Sequence, residues 1–146
     1  MAPAAILCGR DPSHTKHLIE QLAPRVQVVH VCATTESALS EIPALLKGEK
    51  VTPSSGQGTN AAAGEGNART DISLVVIGAF APPDAQAITK TVEDVKPVAV
   101  FLADTTKKSP GQQGPPTIEM IQARILESIS AAEKGDGTWA PGVYRF

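Results

Sequence analysis

The chain has 146 residues, 42% of them hydrophobic, with 13 basic and 15 acidic side chains and a formal charge of −2. That length fits one domain with a substantial core, and the near-neutral balance excludes an electrostatic grip on nucleic acid or an anionic membrane. No apolar run approaches the roughly 18 residues of a membrane span, and MAPAAILCGR lacks the basic flank of a secretory leader, so a cytoplasmic protein is expected.

In chain order, AAILC (4–8) is a short continuous apolar run, as a strand buried on both faces would be. After CGRDPSH comes a helix with Thr15, Leu18, Ile19 and Leu22 on one stripe. Asp11 is its cap and Pro12 its first residue. On that stripe His17 points to water and His14 lies on a flank. VQVVHVCA (26–33) is the second strand. The second helix starts at a Thr34 or Thr35 cap and puts Ala38, Leu39, Ile42, Leu45 and Leu46 on one face; Pro43 predicts a kink or break, and Gly48 ends it.

Residues 49–70 are rich in Gly, Ser and Ala and too poor in apolar side chains to offset ordering. They read as a flexible surface insertion, remote from the strand C-termini. ISLVVIGA (72–79) is the clearest strand. A helix over about 84–95 follows, with Asp84 as cap and Ala85, Ile88, Val92 and Val95 facing inward. PVAVFLA (97–103) is the fourth strand and 104–116 an irregular loop. The last helix runs from a Thr117 cap to Gly135, with Ile118, Ile121, Ile125, Ile129 and Ala132 on one stripe.

Strands alternating with helices imply an α/β fold: a three-layer α/β/α sandwich on a parallel sheet of four strands, order 2-1-3-4, with right-handed crossovers. GVYRF (142–146) is either a fifth strand or a packed extension. The tail over 136–146 holds three of the five aromatics, Trp139, Tyr144 and Phe146. It is expected to fold back over the sheet edge or to insert into a second copy, and a homodimer through this tail is the working expectation.

Open parallel sheets bind ligands beyond the strand C-termini where strand order reverses, here between the first and third strands. The facing loops are CGRDPSH and GAFAPPD. Gly9, Arg10, Ser13, Gly78, Phe80, Asp104 and Thr105 are the candidate ligand-binding residues, with Thr106 on the same wall. Gly9 permits close backbone approach, Arg10 brings charge, and Ser13 with the helix-start N–H groups offers donors to an anion, although Asp11 opposes one there. If the site is catalytic, His14 is the general acid or base, with Cys8 at a strand end as a weaker nucleophile candidate.

No metal site is expected. His14 and His17 have no acid or thiol at helical spacing to complete one, and Cys8 and Cys32 default to small buried hydrophobes. No cofactor is expected either, because the glycine pattern matches neither a dinucleotide fingerprint nor a P-loop.

DISLVVIGAFAPPDA followed by KPVAVFLAD resembles the middle of response-regulator receiver domains and, more broadly, flavodoxin-like and Rossmann-like folds, over about residues 4–103. The residues for phosphotransfer are missing. Receivers carry an acidic pair after the first strand, where this chain has Cys8-Gly9-Arg10. Their phosphoacceptor Asp falls near Gly78, and their Lys has no counterpart. The resemblance therefore implies a degenerate site that binds a small ligand, such as an anion, or a partner protein. The alternatives are a small cofactor-independent acid–base or isomerase-type enzyme and a structural subunit of an assembly.

Overall fold

The structure is a computed structural model that describes residues 3–23, 25–63, 69–78, 80–104, 117–135 and 138–146, without the side chains of 62 and 63. Four strands form where the apolar runs lie: β1 (Ala4–Cys8), β2 (Gln27–Cys32), β3 (Ile72–Ile77) and β4 (Ala99–Leu102). A fifth, β5 (Gly142–Arg145), comes from the tail and pairs parallel with β4. The sheet is all parallel, in the order β2-β1-β3-β4-β5. The α/β class and strand order agree with the sequence reading, and GVYR is a strand.

The helices cover both faces. On one lie α1 (Pro12–Leu22) and α5 (Ile118–Ala132), with Leu18, Leu22, Ile125 and Ile129 packed on Leu7, Val76 and Phe101. On the other lie α2 (Thr35–Leu46) and α4 (Pro82–Val95), with Ala38, Ile42, Ile88 and Val92 packed on Ile6, Val75 and Ile77. Each fully buried aliphatic side chain contributes about 1.5–3 kcal/mol, and two such layers hold the sheet between them.

Several local expectations are corrected. Pro43 does not end α2, which continues to Leu46. An interior proline costs about 3 kcal/mol, and the burial of Ile42, Leu45 and Leu46 beside it outweighs that. Helix α4 begins at Pro82 with Ala81 as N-cap and no side-chain cap, so Asp84 sits inside its first turn. His17 does not face water: it is half-buried, and its Nε2 lies 2.8 Å from Oε1 of Gln122 on α5.

Part of the 49–70 insertion, expected to be remote from the strand C-termini, lies against the end of β2 and the start of α1. A short helix, α3 (Thr59–Ala63), lies beside β2. Ser55 Oγ donates to the Val31 carbonyl at 2.7 Å, and Gln57 Nε2 donates to the Pro12 carbonyl at 3.1 Å at the start of α1. The Asn60 amide and the Arg69 backbone exchange two 2.9 Å bonds, tying α3 to the residues that lead into β3. Apolar burial is scarce here, and side-chain bonds to neighbouring backbone do the anchoring.

The tail is also internal. Trp139 and Phe146 are buried, Trp139 Nε1 donates to the Ile129 carbonyl at 2.9 Å, and Tyr144 stacks on Phe101 with ring centroids 5.1 Å apart. The aromatics expected to reach a second copy are thus used within this chain. No helix among the described residues is long and apolar enough to cross a membrane.

Candidate functional site

The β1–α1 loop is set by its own local bonds. Gly9 N–H donates to the Cys32 carbonyl at 3.0 Å, which extends the β1–β2 pairing one residue beyond the strands. A Cβ at Gly9 would lie 2.7 Å from Cγ2 of Thr15, so any larger residue there would have to displace the Thr15 side chain of α1. Asp11 caps α1, its Oδ1 accepting from Ser13 Oγ at 2.7 Å and Ser13 N–H at 2.9 Å. These two Ser13 bonds hold the Asp11 carboxyl below its usual range. His14 Nε2 stands 3.7 Å from Asp11 Oδ2. Ser13 and His14 therefore turn in on Asp11.

The loop after β3 closes from the other side. Gly78 N–H donates to the Cys8 carbonyl at 2.8 Å, and a Cβ at Gly78 would come within 3.1 Å of that oxygen. Arg10 reaches across, its Nη2 3.4 Å from Asp84 Oδ2 and its guanidinium 5.1 Å above the Phe80 ring. Both charged groups are largely exposed, so this latch is weak in energy, at about 0–1 kcal/mol. It nevertheless gives the loops after β1 and β3 one bridge.

Among the described residues, three depressions lie at this edge. A cleft of about 160 Å³ opens between α1 and α5, floored by Leu7, Val76, Ile121 and Ile125, with Arg10, Asp11 and His14 on its margin. A wider, open hollow of about 540 Å³ lies among Arg10, Thr34, Glu36 and Asp84. A third, about 160 Å³, is lined by Gly78, Phe80, Asp104 and Arg145. Of the residues expected at a site, Cys8, Gly9, Arg10, His14 and Gly78 line the first cleft, and Gly78, Phe80 and Asp104 line the third. Ser13 is spent on the cap, and Thr105 and Thr106 lie outside the described residues. Cys8 is fully buried in the α2–α4 core layer, so its thiol is not presented as a nucleophile.

Another constellation lies under α2, and the sequence reading missed it. His30 and Cys32 are fully buried on β2, and Glu41 on α2 is almost as buried. His30 Nε2 lies 2.7 Å from Glu41 Oε1, and a ligating atom from each of the three residues falls within 4.8 Å of the others. Ser54 Oγ donates to Glu41 Oε2 at 2.6 Å. Burial opposes charge on His30, but Cys32 and Glu41 overcome it and raise its pKa. The Cys32 thiol is pushed up by its hydrogen bond with Cys8 and by burial. A signal for this cluster was available: HVC places His and Cys two apart on a strand, and Glu41 interrupts the apolar stripe between Ala38 and Leu45.

No protein-family model matches the chain, and no curated protein or solved structure is significantly similar to it.

Proposed function

We propose that this chain is a non-catalytic, cytoplasmic binding domain of receiver-like architecture, taking a small, largely apolar molecule with one anionic group in the α1–α5 cleft. The observation that carries this reading is the make-up of that cleft: an apolar floor of Leu7, Val76, Ile121 and Ile125 with Arg10 and His14 at its margin, beside the strand-order reversal. The apolar body would sit on the floor. The anionic group would meet Arg10, because Asp11 already takes the Ser13 N–H and hydroxyl at the helix start.

Binding is favoured over catalysis by where the polar groups are committed. Arg10 is paired with Asp84 over Phe80 and His14 leans towards Asp11, so each has a partner other than the other. Calorimetry and thermal shift with matched short-chain carboxylates, alcohols and amines test the reading. The carboxylates should bind and raise the melting temperature, and Arg10→Ala should abolish their advantage over the alcohols. Equal or absent response to all three series, or no effect of Ile121→Trp filling the cleft, would refute it.

A further inference from the structure

We propose that His30, Cys32 and Glu41 form a metal site for a zinc-class divalent cation, built between β2 and α2 and separate from the α1–α5 cleft. The donors are imidazole nitrogen, thiolate sulfur and carboxylate oxygen, the set that zinc and similar borderline cations take. They come from two elements that the fold presses together. A register shift between Ala5 and Ile6 of β1 leaves Val29 without a partner and pairs Ile6 with His30, and Glu41 descends from α2 onto the same spot.

Charge balance favours occupancy. A divalent cation displaces the Cys32 proton to solvent, and the resulting thiolate and the Glu41 carboxylate neutralise it, leaving no net charge in the core. The Glu41 carboxylate also has an outer partner, Ser54 Oγ, which donates to its far oxygen at 2.6 Å, and Cys8 stands opposite Cys32 in register. One nitrogen of His30, Nδ1, is buried without any hydrogen-bond partner, so the imidazole retains unused capacity for a ligand.

The way in is the turn from Pro53 to Gly56. It closes with a 3.0 Å bond from Gly56 N–H to the Pro53 carbonyl and carries Ser54, which is exposed while its hydroxyl covers the Glu41 carboxylate. The insertion thus supplies the cover of the site.

Cobalt(II) titration of the metal-free full chain tests this. One equivalent should produce a thiolate-to-cobalt charge-transfer band, which zinc should then remove, and zinc should raise the melting temperature. Cys32→Ser should lose the band. Ser54→Ala changes an exposed residue that leaves the core intact, and it should weaken zinc binding roughly 10–100-fold as outer-shell losses do. Absence of the band in the parent chain would overturn the proposal. So would a band that survives Cys32→Ser, or zinc affinity unchanged in Ser54→Ala, since either places the metal elsewhere.

Discussion

Gly58 lies so close to β2 that a Cβ built on it would stand 2.5 Å from the Val29 carbonyl oxygen. Its φ of +101° is itself a conformation that residues with a Cβ rarely adopt. Gly58→Ala should therefore lose stability by at least about 1–3 kcal/mol from backbone strain, with the clash added to it. Gly56, φ +74°, has nothing within 4 Å of its virtual Cβ, and Gly56→Ala should cost only the left-handed penalty of about 1–2 kcal/mol. Urea melts of the two variants check the order. Equal losses would mean that the insertion does not hold its place on β2.

That contact also shows why part of the fold was legible and part was not. Strands β1 to β4 announce themselves because a strand buried on both faces must be apolar throughout. β5 has no such run: Val143 is 42% exposed, and the strand is recruited by the stacking of Tyr144 on Phe101 and the burial of Phe146. The insertion read as coil because composition reports apolar burial, whereas Ser55 and Gln57 attach it by bonds to the Val31 and Pro12 carbonyls and Asn60 closes it internally on Arg69. The C-terminal edge of the sheet could be located from strand order alone. The His30–Cys32–Glu41 cluster could not be assembled that way, because Glu41 meets His30 only through the docking of α2.

Arg10 separates stability from binding. Its partner Asp84 is 38% exposed and Arg10 itself 57%, so Arg10→Ala should change stability by no more than about 1 kcal/mol. The same variant should lose discrimination for carboxylate ligands. Paired denaturant melts and calorimetry measure both, and a large stability loss would make the latch a structural feature of the loops.

Trp139 should behave as a core residue although it lies in the tail. It is 7% exposed, it donates to the Ile129 carbonyl, and its ring lies 5.5 Å from the guanidinium carbon of Arg25, which also pairs with Glu133. Trp139→Ala should cost about 3–5 kcal/mol, whereas Trp139→Phe should retain much of the packing and lose the N–H bond. Thermal melts establish the order. Sedimentation should find the parent chain and Trp139→Phe with the same mass, because this ring is buried within its own chain. A Phe variant that shifts a dimer to monomer would show that the tail reaches a partner.

Asp11 makes the start of α1 sensitive to acid. Its folded pKa is lowered, first by the Ser13 hydroxyl and then by the Ser13 N–H, with His14 a smaller contributor. A lowered folded pKa means that the stabilisation is fully present above the unfolded value, near 3.8, and is lost as pH falls through the folded one. Asp11→Asn keeps a capping oxygen without a titrating charge, so it should flatten the acid limb of the stability curve and leave the neutral-pH melt close to that of the parent. Asp11→Ala should lower stability at neutral pH and also flatten that limb. Melting temperatures across the acid range test the assignment, and an acid limb as steep in Asp11→Asn as in the parent would place the titration on another carboxylate.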